Sequence, residues 1–149
     1  MKTVQDLLKA KKSQEIWSVT PDTILYRALQ LLSEKEIGAL LVMEKEKLVG
    51  IVSERDYARK VILEGRSSKE THTKEIMTGK LYVVNPETTM EECMALMTEK
   101  RIRHIPVVEK KTNRVLGVIS IGDVLKAIIS EQKILIENLS SYIMGGKYA

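Results

Sequence analysis

Gly50-Ile51-Val52-Ser53-Glu54-Arg55-Asp56 returns later in the chain as Gly117-Val118-Ile119-Ser120-Ile121-Gly122-Asp123. The Gly, Ser and Asp anchors all move by 67 positions (117 − 50 = 120 − 53 = 123 − 56). Each copy closes an apolar run and opens a helical pattern, which puts a Ser and an Asp where a strand becomes a helix. A repeated phrase of this kind decides the fold before anything else does.

The duplication extends in both directions. Thr20-Pro21-Asp22-Thr23 matches Asn85-Pro86-Glu87-Thr88 at a shift of 65 (86 − 21), and Glu34-Lys35-Glu36-Ile37 matches Glu99-Lys100-Arg101-Ile102 at the same shift. The change from 65 to 67 implies a two-residue insertion in the second copy near the polar stretch 111–114, as a hairpin loop would allow.

Each copy has the same predicted order. A short strand (16–19 or 81–84) leads through a Pro-containing turn into a helix. The helix stripe is Ile24, Leu25, Ala28, Leu29 and Leu32 in the first copy and Met90, Cys93, Met94 and Met97 in the second. Two apolar runs follow, 39–43 and 48–52, then 105–108 and 115–119; their near-continuous hydrophobicity predicts buried strands. A closing helix carries Tyr57, Ala58, Val61 and Ile62, or Val124, Leu125, Ile128 and Ile129. The expected fold is therefore α/β (α+β), built from tandem pseudo-twofold β-α-β-β-α repeats whose sheets share one core.

The expected organisation is an N-terminal helical segment (1–12), a first repeat (13–64), a linker (65–74), a second repeat (75–131) and a C-terminal helix (132–149). Leu135, Leu139, Tyr142 and Ile143 form a stripe outside the duplication, with Gly145-Gly146 as the expected stop. The stripe could pack on the module or on a second subunit; the second is favoured. Val4, Leu7 and Leu8 could serve the same purpose.

With 149 residues, 44% hydrophobic and 30% charged, the chain can form one compact domain with a sizeable core. One cysteine, Cys93, excludes an internal disulfide and a thiolate zinc cluster, and its place on the helix stripe makes it a core thiol. Gln5 and Asp6 interrupt any secretory leader, and the apolar runs fall far short of the ~20 residues of a membrane span, so a cytoplasmic location and no membrane partner are expected. The net charge is +4, but basic and acidic residues are interleaved, and with no Phe and one Trp there is little to stack on single-stranded nucleic acid. No Walker loop, G-x-G-x-x-G or Gly-x-Ser-x-Gly elbow is present, so no enzyme activity is expected.

Ser-x-x-Asp at a helix start has two readings. It caps the helix by satisfying orphan N–H groups. It could also grip a polyol phosphate, with the helix N-terminus and the hydroxyl on phosphate and the carboxylate on ribose hydroxyls. Two equivalent copies favour site building. Gly50 and Gly117, inside strands, mark either a tight packing contact or bulge, or a close approach by a ligand. After Ile37 the first copy has Gly38-Ala39, which makes room for a flat base. After Ile102 the second has Arg103-His104, donors suited to phosphate, followed by Ile105-Pro106. Two pockets built on these positions would be chemically unlike.

These phrases, with Arg103-His104-Ile105-Pro106-Val107-Val108, resemble the cystathionine-β-synthase (CBS) domain pair, or Bateman module, over about residues 13 to 131. The C-terminal Glu137-Asn138-Leu139 and Tyr142-Ile143 resemble the stand-alone bacterial members assigned to signal transduction. The resemblance implies two crossed clefts for adenosyl ligands (AMP, ADP, ATP, NAD(H) or S-adenosylmethionine). One cleft would join Val19, Ile37, Gly38 and Ala39 to Ser120 and Asp123; the other would join Val84, Ile102, Arg103, His104 and Pro106 to Ser53 and Asp56. The aspartates would hold ribose, the serines phosphate, and Arg103 and His104 would neutralise phosphate. The resemblance also implies a homodimer in which two modules form a flat disk. The functional expectation is a non-enzymatic adenine-nucleotide sensor acting on an unknown downstream protein, AMP being the first choice, NAD(H) a candidate for one cleft and S-adenosylmethionine less favoured. The alternatives are a nucleic-acid-binding module, suggested by the pI of about 9.1 and by Lys100, Arg101 and Arg103, and a purely structural dimerisation unit.

Overall fold

A computed structural model describes residues 2–11 and 15–148. The expected boundary between residues 12 and 13 lies outside the described residues. The element order is α1 (Val4–Lys9), β1 (Ser18–Val19), α2 (Leu25–Lys35), β2 (Ala39–Glu44), β3 (Lys47–Ser53) and α3 (Glu54–Tyr57), then α4 (Met90–Lys100), β4 (His104–Val108), β5 (Val115–Ser120) and α5 (Ile121–Tyr148). The architecture is mixed α/β, with a three-stranded sheet ordered β1-β2-β3 and a two-stranded sheet β4-β5.

The duplication holds at the level of single hydrogen bonds. α2 buries Leu25, Ala28 and Leu32; α4 buries Met90, Cys93 and Met97. Both end on a left-handed residue, Glu36 (φ 53°) and Arg101 (φ 54°), 65 positions apart (101 − 36). The following amide bonds back over the last turn in each case, Ile37 N–H to Leu32 at 3.1 Å and Ile102 N–H to Met97 at 3.0 Å. Both hairpins carry a bulge at the same place, after Val42 in β2 and after Val107 in β4 (107 − 42 = 65).

The short leading strand survives in full only in the first repeat. β1 pairs parallel with β2 through Ser18 and Val19, and the Leu41 N–H reaches the Trp17 carbonyl at 3.4 Å. In the second repeat the strand expected over 81–84 is reduced to one bridge, Val84 to Val107. The counterpart of Leu41 is Pro106 (41 + 65), which has no N–H to give, so the pairing cannot extend back toward Tyr82.

Burial also departs from the expected uniform pattern. β2 is buried over its first four residues and β4 at Ile105, Pro106 and Val107, whereas β3 and β5 alternate because their outer face is only partly covered. After α3 the chain widens into a π turn, Ala58–Ile62, in place of the single regular helix expected. Of the expected closing-helix face, Val61 is buried and Tyr57 half-buried, but Ala58 and Ile62 are exposed.

The polar connection between repeats is tied down. Thr71 and Thr73 are buried. The Thr71 and Ser68 carbonyls accept the free N–H groups of Leu25 and Tyr26 at the start of α2, at 2.8 and 3.0 Å. The segment then pairs with β3 through Thr78 and Ile51. Ile76 is buried among the first repeat's core side chains and Met77 packs against them. Conversely, Val4 and Leu7 of α1 are buried in the second repeat's core, with Leu8 against it. That places the Val4, Leu7 and Leu8 stripe inside the module rather than at a subunit contact.

These packings explain both strand glycines. A Cβ on Gly50 would lie 2.6 Å from Met77 Sδ, and one on Gly117 would lie 2.8 Å from Leu8 Cδ2. The tight-packing reading of Gly50 and Gly117 is the one the structure bears out.

α5 runs 28 residues, roughly 42 Å, straight through the Gly145-Gly146 expected to stop it. Its first turns bury Val124 and Ala127 against the second core. From Glu131 to Met144 every side chain is exposed, so the C-terminal stripe does not pack on its own module.

Candidate ligand cleft between the repeats

The strand-to-helix junctions are capping boxes in both repeats. Ser53 N–H and Oγ donate to Asp56 Oδ2 at 2.9 and 3.0 Å, and the Asp56 N–H donates to Ser53 Oγ at 3.2 Å. Ser120 and Asp123 repeat this at 2.8, 3.0 and 3.2 Å. The capping reading of Ser-x-x-Asp is therefore correct, and it constrains any grip on a ligand. The serine hydroxyl hydrogen is already given to the aspartate, so a serine must turn to bond a phosphate oxygen.

Each carboxylate keeps one oxygen, Oδ1, outside its capping box, and here the repeats part. Asp56 Oδ1 pairs with Lys60 at 3.1 Å, and the same ammonium donates to the Ile76 carbonyl at 2.9 Å. Asp123 meets Lys11 instead, at 3.2 Å on the already engaged Oδ2. Lys11 also donates to the Val118 carbonyl at 2.7 Å, occupying the β5 edge at the position where Thr78 pairs with Ile51 in the first repeat (118 − 51 = 67). Among the described residues, Asp123 Oδ1 accepts no hydrogen bond, although the side chain is only 18% exposed.

Asp123 faces a cavity of about 300 Å³ that draws on both repeats. Ile37, Gly38 and Ala39 line one side, and Ser120, Asp123, Val118 and His104 the other. Lys11, Glu15, Ile16 and Trp17 complete the wall. Of the first expected cleft, five of six residues meet here; Val19 is buried in the first core instead. A second cavity, about 470 Å³, lies between α1 and α5 and shares Lys11 and Asp123 with the first.

The second expected set is placed differently. Neither of these two cavities joins it. His104 crosses to the first cavity and lies against Gly38, where a Cβ would be 3.2 Å from its Cε1. Val84 is buried and Ile102 half-buried in the second core, Pro106 is buried within β4, and Arg103 is exposed. Ser53 and Asp56 stay half-buried beside Lys60.

Burial holds the His104 imidazole below its ordinary value of 6.5; Lys11 pushes it further down, Asp123 opposes that and Arg103 adds to it. The ring is therefore neutral at pH 7 in the free protein, a hydrogen-bonding group rather than the phosphate-neutralising cation expected from its type. Cys93 is buried and burial raises its thiol pKa, which suits a core side chain and not a nucleophile. No group of three or more acidic, His or Cys residues suited to a metal ion is found among the described residues.

Sequence reasoning missed Lys11 and Trp17. Trp17 had a usable signal, being the chain's one tryptophan and two residues before the buried Val19. Lys11 had none, because it is one of many surface-type lysines and reaches its partner across 112 positions (123 − 11).

The CBS-domain model matches residues 4–63 and 74–130. The chain belongs to the CBS-domain family. A candidate signal-transduction protein with CBS domains from Burkholderia ambifaria superposes with a TM-score of 0.84 at 50% identity, covering 88% of this chain and 96% of that one. The CBS domain-containing protein CBSX3, mitochondrial, of Arabidopsis thaliana is 44% identical over 97% of this chain and 73% of its own length. The CBS domain pair of protein MJ0100, solved in complex with 5'-methylthioadenosine and S-adenosyl-L-methionine, shares the fold at a TM-score of 0.75 and 23% identity, covering 85% of this chain and 99% of that one. No helix among the described residues is long and apolar enough to cross a membrane.

Proposed function

We propose that this chain is a non-enzymatic cytoplasmic sensor of adenine nucleotides, with AMP as the ligand of the cavity between Gly38-Ala39 and Ser120-Asp123. The observation that carries the reading is Asp123 Oδ1, a half-buried carboxylate oxygen with no partner among the described residues, facing a cavity that both repeats build. It suits the two hydroxyls of a ribose, while Gly38 and Ala39 leave room for a flat base. Lys11 and the start of α5 lie beside the same carboxylate and suit phosphate. At about 300 Å³ the cavity is at the lower end of small-molecule sites, which favours a mononucleotide over NAD(H). The adenosyl ligands of the MJ0100 pair support the ligand class.

Arg103, Pro106, Val84 and Ile102 with Ser53 and Asp56 remain the proposed second cleft. It would open only when Lys60 leaves Asp56 Oδ1, and it is the candidate place for NAD(H) or a second nucleotide. A ligand bound between the repeats favours one arrangement of them, and a downstream protein would read that arrangement.

Titration calorimetry with AMP, ATP, NAD(H) and S-adenosylmethionine tests the reading. AMP should give saturable heat, and AMP at a hundred times its Kd should add about 2.7 kcal/mol to unfolding stability. An absence of heat from all four ligands overturns it.

A further inference from the structure

We infer that the groove between α1 and α5 is an oligophosphate site, distinct from the cavity at Gly38-Ala39 and coupled to it through Lys11. The groove has a volume of about 470 Å³. Three ammonium groups line it: Lys2 at the start of α1, Lys11 just beyond its end, and Lys126 on α5. Leu7 and Ala127 line it too, and both are buried in the second core, so packing fixes the two helices that carry the lysines.

Two carboxylates share this wall, and each is already committed. Asp6 Oδ2 accepts the Thr3 N–H at 2.9 Å and the Thr3 hydroxyl at 3.2 Å, which closes the start of α1, and the charges of Lys9 and Lys2 act on it. Asp123 Oδ2 is held by Ser120 and by Lys11. Neither Lys2 nor Lys126 forms an ion pair among the described residues. The groove therefore carries more positive than negative charge at neutral pH.

The cations are point charges rather than guanidinium forks, so they suit tetrahedral phosphate over planar carboxylate. Lys2 and Lys11 stand roughly 13 Å apart along α1, so a chain of phosphates meets more of the three ammonium groups than one phosphate does. Lys11 and Asp123 also line the nucleotide cavity. An anion that draws Lys11 into the groove takes it from Asp123, and the Asp123 charge opposes that anion. The oligophosphate has two sources to distinguish. One is a free diphosphate; the other is the distal phosphates of a nucleoside triphosphate seated in the adjacent cavity, and only this second source rests on the nucleotide reading.

Titration calorimetry with pyrophosphate on the full chain, at fixed ionic strength, is the test. The wild type should show one saturable site, about tenfold tighter for pyrophosphate than for orthophosphate. Lys126→Ala should weaken it about three- to tenfold, while Lys133→Ala, on the same helix but outside the groove, should leave it unchanged. Asp123→Asn should tighten pyrophosphate about threefold, whereas the same change should weaken AMP. ATP and AMP, titrated into the wild type and Lys126→Ala, identify the source. A loss confined to ATP marks the nucleotide's own tail, and no change for either nucleotide marks a free anion. Absence of saturable pyrophosphate binding, equal behaviour of Lys126→Ala and Lys133→Ala, or weaker pyrophosphate binding in Asp123→Asn overturns the inference. If AMP gives no heat while pyrophosphate binds, the nucleotide reading fails and the groove site stands.

Discussion

Replacing Asp123 by asparagine separates the capping role of this residue from its proposed ligand role. Asparagine keeps an acceptor for the Ser120 N–H but removes the charge that faces the start of α5 and pairs with Lys11 at 3.2 Å. A carboxylate in a helix's first turn contributes about 0.3–1 kcal/mol, and a partly exposed ion pair about 0.2–1 kcal/mol. Asp123→Asn should therefore cost about 1 kcal/mol of stability. Asp56→Asn is its matched control: it loses the same capping charge and the Lys60 ion pair at 3.1 Å, for a similar cost. Their effects on ligand differ. A hydrogen bond to a charged group is worth about 1.5–3 kcal/mol, so Asp123→Asn should weaken AMP about 10- to 100-fold in the Gly38-Ala39 cavity, while Asp56→Asn leaves that site unchanged. Urea unfolding gives the first quantity and titration calorimetry the second. Equal AMP affinity in both variants, or a larger loss in Asp56→Asn, would refute the assignment of Asp123 to this cavity.

Other outcomes follow from single contacts. Gly50→Ala should lower stability by about 1–3 kcal/mol in chemical denaturation, since the new methyl would lie 2.6 Å from Met77 Sδ and 3.2 Å from the Thr78 carbonyl; Gly117→Ala should cost less, because it meets only the tip of Leu8. Gly38→Ala should reduce AMP affinity in calorimetry by crowding His104 across the cavity at 3.2 Å, with little change in melting temperature. His104 should make the fold acid-sensitive. Its folded pKa lies below 6.5, so the unfolded chain binds the extra proton first. Stability is then full above about pH 6.5 and declines as pH falls through that value toward the folded pKa. Melting scans from pH 8 to 5 should show a shallower decline in His104→Asn, and an identical decline would count against the buried-imidazole account.

The repeat was legible because it is written in local patterns. Helix stripes, capping boxes and apolar hairpins are set by neighbours three or four residues apart, and α2, β2, β3, α4, β4 and β5 fall close to their expected positions. The shortened strand before α4 was missed although its cause, Pro106, is in the sequence; it shows only when Pro106 is aligned with Leu41 as a donor. The π turn at Ala58 carries no comparable signature. In the cleft, Ile37, Gly38, Ala39, Ser120 and Asp123 were legible because they flank the repeated phrase. The positions of Lys11, and of His104 beside Gly38, were not, because both depend on how the repeats face each other, which periodicity does not encode.

The packing of the two leading segments bears on how such a chain arises. The segment before the first repeat is buried in the core of the second, and the segment before the second is buried in the core of the first. A single repeat supplied with only its own leader would lack the side chain that fills the space above its strand glycine, Met77 above Gly50 or Leu8 above Gly117. Two identical single-repeat chains could trade leaders across a twofold axis and each become complete. Gene fusion of such a swapped pair would give the present connectivity with no rearrangement of the cores. The two halves are not identical in this respect, as Lys11 and Thr78 satisfy the equivalent strand edges by different means. Neither half should therefore fold when expressed alone, but two fragments cut between the repeats should reconstitute each other on mixing.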